Sequence, residues 1–247
     1  MLALALAFAA PATVAGCGNG GGRELTVSAA SSLTDAFTRY GSQLPGTGAR
    51  FSFGGSDVLE AQIAQGARPD VFASANTGYP AELHRQGLAG RPVVFAANRL
   101  VIAVPADQDR IRSIRDLARP GTTIAIGSPS VPIGSYTRQV LSRLGGAERS
   151  AILGNVASQE PDVAGIVGKV TEGAVDAGFT YATDVDATHG ELKAIELPRR
   201  AQPTVAYAAT VIRGSDERKQ ARAFIRGLLR GPGARDLREA GFEPPPE

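Results

Sequence analysis

The sequence predicts an α/β protein of two lobes, in which each lobe is a mostly parallel sheet flanked by helices. Three observations carry the α/β, two-lobe reading. Strand-like and helix-like runs alternate from residue 24 onward, the grammar of a parallel sheet with helical crossovers. The grammar restarts after an apolar run at Asn98–Pro105. A late apolar stretch, Thr204–Ile212, with an amphipathic segment after it, is placed back with the first unit.

The elements follow in order. Glu24–Ala29 reads as a strand, and Leu33, Ala36, Phe37, Tyr40 and Leu44 recur at helical spacing. Arg50–Phe53 is a second strand, Leu59, Ile63 and Ala64 mark a helix ending near Gly66, and Asp70–Ser74 is a third strand. In the second unit, Thr123–Gly127 is a strand, followed by a helix carrying Tyr136, Val140, Leu141 and Leu144. Gly154–Ala157 is a weak strand, Val163, Ile166, Val167 and Val170 mark a helix, and Ala177–Tyr181 is a strand. Ala221, Phe224, Ile225, Leu228 and Leu229 mark the closing helix. This divides the chain into lobe 1 (23–101 and 204–247) and lobe 2 (102–203), with the cleft between them as the default site.

Composition narrows the function classes. Of 247 residues, 43% are hydrophobic and 20% charged, which excludes a disordered or collagen-like chain. The net charge is +2 and no basic run occurs, so no nucleic-acid partner is expected. A single cysteine, Cys17, excludes an internal disulfide and any multi-cysteine metal site. His84 and His189 stand far apart without ligand spacing.

The amino terminus carries an address. Residues 1–16 are uncharged and apolar, too short for a spanning helix and matching the core of a secretory signal. Val14-Ala15-Gly16-Cys17 resembles a bacterial lipobox, with Cys17 the lipidated residue and 17–22 a Gly-rich tether. The expectation is an exported protein, held at the outer face of the membrane by lipid alone.

Four strand-to-helix joints share an unusual residue set: Ala30-Ser31-Ser32-Leu33, Gly54-Gly55-Ser56-Asp57, Val131-Pro132-Ile133-Gly134 and Glu160-Pro161-Asp162-Val163. A helix start exposes unpaired N–H groups and the positive end of the helix dipole. Several starts converging on one cleft make an anion site with no cation. None of the four contains Lys or Arg. Any one serine, taken alone, is first of all an N-cap.

The chain resembles the molybdate-binding receptors of ABC importers, which implies the type II periplasmic-binding-protein architecture. The segments LTVSAASSLTDAF, FSFGGSDVLEAQIAQGARPDVFASA, NRLVIAVP, IAIGSPSVPIGSYTRQVL, DVAGIVGKVTEGAVDAGFTYATDV and AFIRGLLRGPGARDLREAGF carry the likeness in family order. The resemblance implies that a tetrahedral oxyanion, molybdate or tungstate, is held by the hydroxyls of Ser32 and Ser56, the backbone N–H groups of Ile133 and Val163, and the Tyr181 hydroxyl. Ser31 is the alternative to Ser32 in that register. The metal is reached only through its oxygens, with no direct protein ligand and no resident cofactor. The implied partners are an ABC permease and its ATPase, the receptor itself being a monomer. Asp184 stands behind the tyrosine. Asp57 departs from the family pattern and is expected to point away, because a carboxylate repels a dianion.

Other readings remain in view: a receptor for sulfate or phosphate, a ligand sensor without transport, and an extracellular hydrolase. Phosphate keeps its place because monohydrogen phosphate carries a proton that Asp57 can accept. The hydrolase is disfavoured because no G-x-S-x-G elbow surrounds Ser56 and neither histidine sits in a recognisable context, so no enzyme is expected.

Overall fold

The computed structural model describes residues 23–46 and 48–246. The expected signal (1–16), tether (17–22) and lipidated Cys17 lie outside the described residues. Two five-stranded sheets follow one plan. The first runs β2(Ala49–Gly54)-β1(Leu25–Ala30)-β3(Val71–Ser74)-β10(Val205–Val211)-β4(Val93–Asn98). The second runs β7(Val156–Glu160)-β6(Ile124–Gly127)-β8(Ala177–Tyr181)-β5(Leu100–Pro105)-β9(Leu192–Glu196). In each, four strands run in one direction and the fourth in order, β10 or β5, runs antiparallel to both its neighbours. β3 and β8 are buried along their whole length, as strands covered on both faces must be. The edge strands β2 and β7 instead alternate between more and less exposed positions.

The helices supply the covers. Ala36, Phe37 and Tyr40 line the inner stripe of α1 (Thr34–Ser42), and Ala221, Phe224, Ile225 and Leu228 that of α8 (Arg218–Leu229). Phe37 and Phe224 meet edge-on at 5.4 Å, joining the two stripes over the first sheet. Burying such rings contributes about 1.5–3 kcal/mol each. The helices that matter for the cleft are α2 (Ser56–Ala64), α3 (Gly78–Arg85), α4 (Pro132–Ser142), α6 (Val163–Thr171) and the short α7 (Ala182–Asp186); α5 (Gly146–Gly154) and α9 (Pro232–Glu239) lie outside it. Among the described residues no helix is long and apolar enough to cross a membrane.

The strand pairing moves one boundary. Leu100 and Val101 pair with Tyr181 and Thr180 in the second sheet, so the chain crosses at Arg99 and not after Val101. The return crossing lies alongside, where Gln202 Nε2 donates to the Leu100 carbonyl at 2.8 Å. Arg99 ties both sides by ion pairs to Glu196 and Glu243.

Candidate functional site

Five strands, β1 and β2 of lobe 1 and β6, β7 and β8 of lobe 2, end at the cleft, and each is followed, after at most four residues, by a helical turn. This is where open α/β sheets place ligands. The six positions named from the sequence, Ser31, Ser32, Ser56, Ile133, Val163 and Tyr181, line one cavity there. About 10 Å³ of it is open to the centre of a water-sized sphere, roughly the room one small polar group needs.

Each donor has a local cause. Ser56 opens α2 and is buried. Its Oγ accepts from the Ala75 N–H at 3.2 Å, which leaves the hydroxyl proton free to donate. Ser32 sits in the 3-10 turn after β1, with its Oγ 2.9 Å from the Tyr207 hydroxyl. Ile133 and Val163 stand in the first turns of α4 and α6, where N–H groups have no intrahelical acceptor. Pro132 at the start of α4 loses no hydrogen bond by lacking its own N–H. Gly134 lets α4 lie on the preceding strand: a Cβ there meets the Ser128 carbonyl oxygen at 1.9 Å.

Tyr181 closes the ring of donors. Its N–H donates to Asp184 Oδ2 at 3.0 Å, fixing the residue at the start of α7. Its hydroxyl is buried and makes no hydrogen bond. Burial pushes this phenol well above its usual range, and the neighbouring tyrosines and Asp184 add to the effect, so it stays a donor. Desolvation pushes the half-buried Asp184 carboxyl up to about 7, against the Tyr181 N–H, with Asp162 and Asp35 adding to the rise.

No Lys or Arg lines the cavity, and the one acid that does, Asp162, spends its Oδ1 on the Gly165 N–H at 3.0 Å as the N-cap of α6. Asp57 is absent from the lining. Its Oδ2 accepts from Ser130 Oγ at 2.5 Å, lobe 1 to lobe 2. Tyr79, on α3, donates to the Ser130 carbonyl beside it. Gly55 lies against the opposite lobe, where a Cβ meets the Pro161 carbonyl oxygen at 2.4 Å. The sequence reading missed these closure contacts and Tyr207. The residues sit in helix starts and joints far apart in sequence or in a strand that reads as core, and only the folded chain brings them together.

A family model for bacterial extracellular solute-binding proteins matches residues 25–243. The molybdate-binding protein ModA of Mycobacterium tuberculosis H37Rv is 36% identical over 231 residues, 91% of this chain and 86% of that one. ModA of Haemophilus influenzae is 26% identical, covering 83% of this chain and 84% of that one. The solved periplasmic molybdate-binding protein of Azotobacter vinelandii shares the fold, with a TM-score of 0.79 at 24% identity, over 90% of this chain and 100% of that one. The chain is therefore a member of the bacterial extracellular solute-binding proteins and a homologue of the molybdate-binding proteins among them.

Proposed function

We propose that the protein is an extracytoplasmic receptor that binds molybdate, and tungstate through the same contacts, and hands it to an ABC permease and its ATPase. In this reading Cys17 carries a lipid that holds the monomeric receptor at the membrane, and no reaction is catalysed. The observation that carries it is the donor set. Two hydroxyl-bearing serines, two helix-start N–H groups and an unpartnered buried phenol come from both lobes to one cavity without a cation. A fully deprotonated tetrahedral dianion accepts hydrogen bonds only, and it needs several to replace its water. Asp57 does not line the cavity and Asp162 caps α6 with its Oδ1, which favours such an anion over one carrying a proton. The names of the relatives point the same way. Closure presses Gly55 onto Pro161 and sets Ser130 on Asp57, sealing the anion in.

A thermal-shift measurement with molybdate, tungstate, sulfate and phosphate, each at millimolar concentration, tests this. A ligand at ~1,000 times its dissociation constant adds ~4 kcal/mol, about 8–16 °C for a chain of this size. The expected result is a large shift with molybdate and tungstate alone. A shift with phosphate alone assigns a different cargo. No shift with any of the four rejects the oxyanion reading. Mass spectrometry of membrane-extracted protein tests the lipid separately, and an unmodified Cys17 removes the anchor.

A further inference from the structure

We propose that Tyr207 is a positioning residue of the anion site, its hydroxyl donating to Ser32 Oγ so that the serine proton faces the cavity. The assignment rests on the receptor reading of that cavity. Tyr207 lies on β10, is fully buried and does not line the cavity. Its ring is wedged edge-on among Tyr181 at 5.9 Å, Phe95 at 6.2 Å and Phe242 at 5.3 Å, which fixes the hydroxyl in space.

The direction of the 2.9 Å bond to Ser32 follows from the two hydroxyls and the anion: a phenol is the stronger donor, an alcohol the stronger acceptor, and an acceptor-only anion claims the serine proton. Asn98 Oδ1 accepts the Arg99 N–H at 2.8 Å, so its amide nitrogen is fixed as the donor end. That nitrogen donates to Thr183 Oγ1 at 2.8 Å, so Asn98 does not compete for the Tyr207 proton. Ser32 Oγ is the acceptor within hydrogen-bond reach of that proton. Ser32 is then left with one proton and one direction in which to use it.

Ser56 has the same arrangement, with the Ala75 N–H in the role of Tyr207. Each serine is thus backed by a donor, and in a chain of such bonds each polarises the next. Burial also pushes the Tyr207 phenol well above its usual range, so it remains protonated at neutral pH. With the bond reversed, Ser32 spends its only proton on Tyr207 and has none for an anion.

A double-mutant cycle in molybdate binding tests the assignment, with Tyr207→Phe, Ser32→Ala and the pair measured by calorimetry on the full exported chain. Tyr207→Phe should weaken binding roughly 2- to 10-fold, the range for a lost hydrogen bond between neutral groups. Adding Tyr207→Phe to Ser32→Ala should then cost less than about 2-fold more. A simple structural role instead multiplies the two losses. Unchanged or tighter binding by Tyr207→Phe, or multiplicative losses, overturns the assignment while leaving the receptor reading in place. Failure of the unmutated protein to bind any of the four oxyanions overturns both. The second measurement needs neither ligand nor mutation. In tyrosine-labelled protein, the buried Tyr207 hydroxyl proton should exchange slowly and show a nuclear Overhauser contact to Ser32 Hβ. A contact from that proton to Asn98 instead points the bond the wrong way and rejects the proposal.

Discussion

Asp57 on lobe 1 and Ser130 on lobe 2 share a hydrogen bond of 2.5 Å across the mouth of the cleft. The bond exists only while the lobes are together, so it stabilises the closed receptor and contributes nothing to the open one. Ser130→Ala should speed release of bound oxyanion by roughly 2- to 10-fold, the range for a net contribution of about 0.5–1.5 kcal/mol. Stopped-flow dissociation reads this directly. Asp57→Ala should act alike, and complete loss of binding in it would mean that the carboxylate touches the anion after all.

Gly55 sets a steric condition on the same closure. An alanine Cβ lies 2.4 Å from the Pro161 carbonyl oxygen, a contact backbone cannot yield to cheaply. The two atoms belong to different lobes, so Gly55→Ala should leave each lobe folded and hold them apart. We expect affinity to fall at least about 10-fold, with small-angle scattering showing an open form at saturating ligand. Retained compaction on binding is the contrary result.

Removing the Tyr181 hydroxyl should separate stability from binding. The group is buried without a partner, so Tyr181→Phe relieves a desolvation cost and should raise the melting temperature of the ligand-free protein. Binding should fall by ~1.5–3 kcal/mol, because the hydroxyl no longer meets a charged oxygen. Ser56→Ala should behave oppositely on the first count. It strips the buried Ala75 N–H of its acceptor and should cost stability as well as affinity. Thermal melts with and without molybdate distinguish the two variants.

The Asp184 carboxyl titrates near 7 in the folded protein, raised from 3.8 chiefly by desolvation. Its folded value exceeds its unfolded value, so the native state holds the extra proton between about pH 4 and 7. Its contribution to stability is therefore greatest at the acid end of that window and is lost as pH rises through 7. Asp184→Asn should stabilise the protein at pH 8 and change little at pH 4, since the amide oxygen still accepts the Tyr181 N–H. An equal effect at both values would place the carboxyl outside this range.

The parallel halves of both sheets are legible in the sequence because their strands and covering helices carry clear apolar periods. Of the remaining strands, β5 and β10 are legible as apolar runs, and β4 and β9 are not. VVFAAN and LVIAVP, β4 and β5, are separated by Arg99 alone, and the sequence reading takes only Asn98–Pro105 as a strand. In α5 only Ile152 is buried and in β9 only Leu192, so neither shows a stripe. Gly154, read as the start of a weak strand, ends α5, and β7 starts at Val156. The lining positions are legible because helix starts advertise themselves by small and capping residues. Tyr207 does not, since a tyrosine in an apolar strand looks like core until its hydroxyl is located.

β10 lies between β3 and β4 in the first sheet, although it leaves the exporting machinery long after both. Until residues 205–211 emerge, β4 has no strand to pair with and the cover formed by α8 is missing. The second sheet is built from one continuous stretch, β5 to β9. During translocation lobe 2 is thus able to complete itself while lobe 1 waits with a gap at its centre. Truncations or stalls before residue 205 should yield a protease-resistant lobe 2 beside an unfolded remainder, which makes lobe 1 the half of this receptor whose assembly depends on the far end of its own chain.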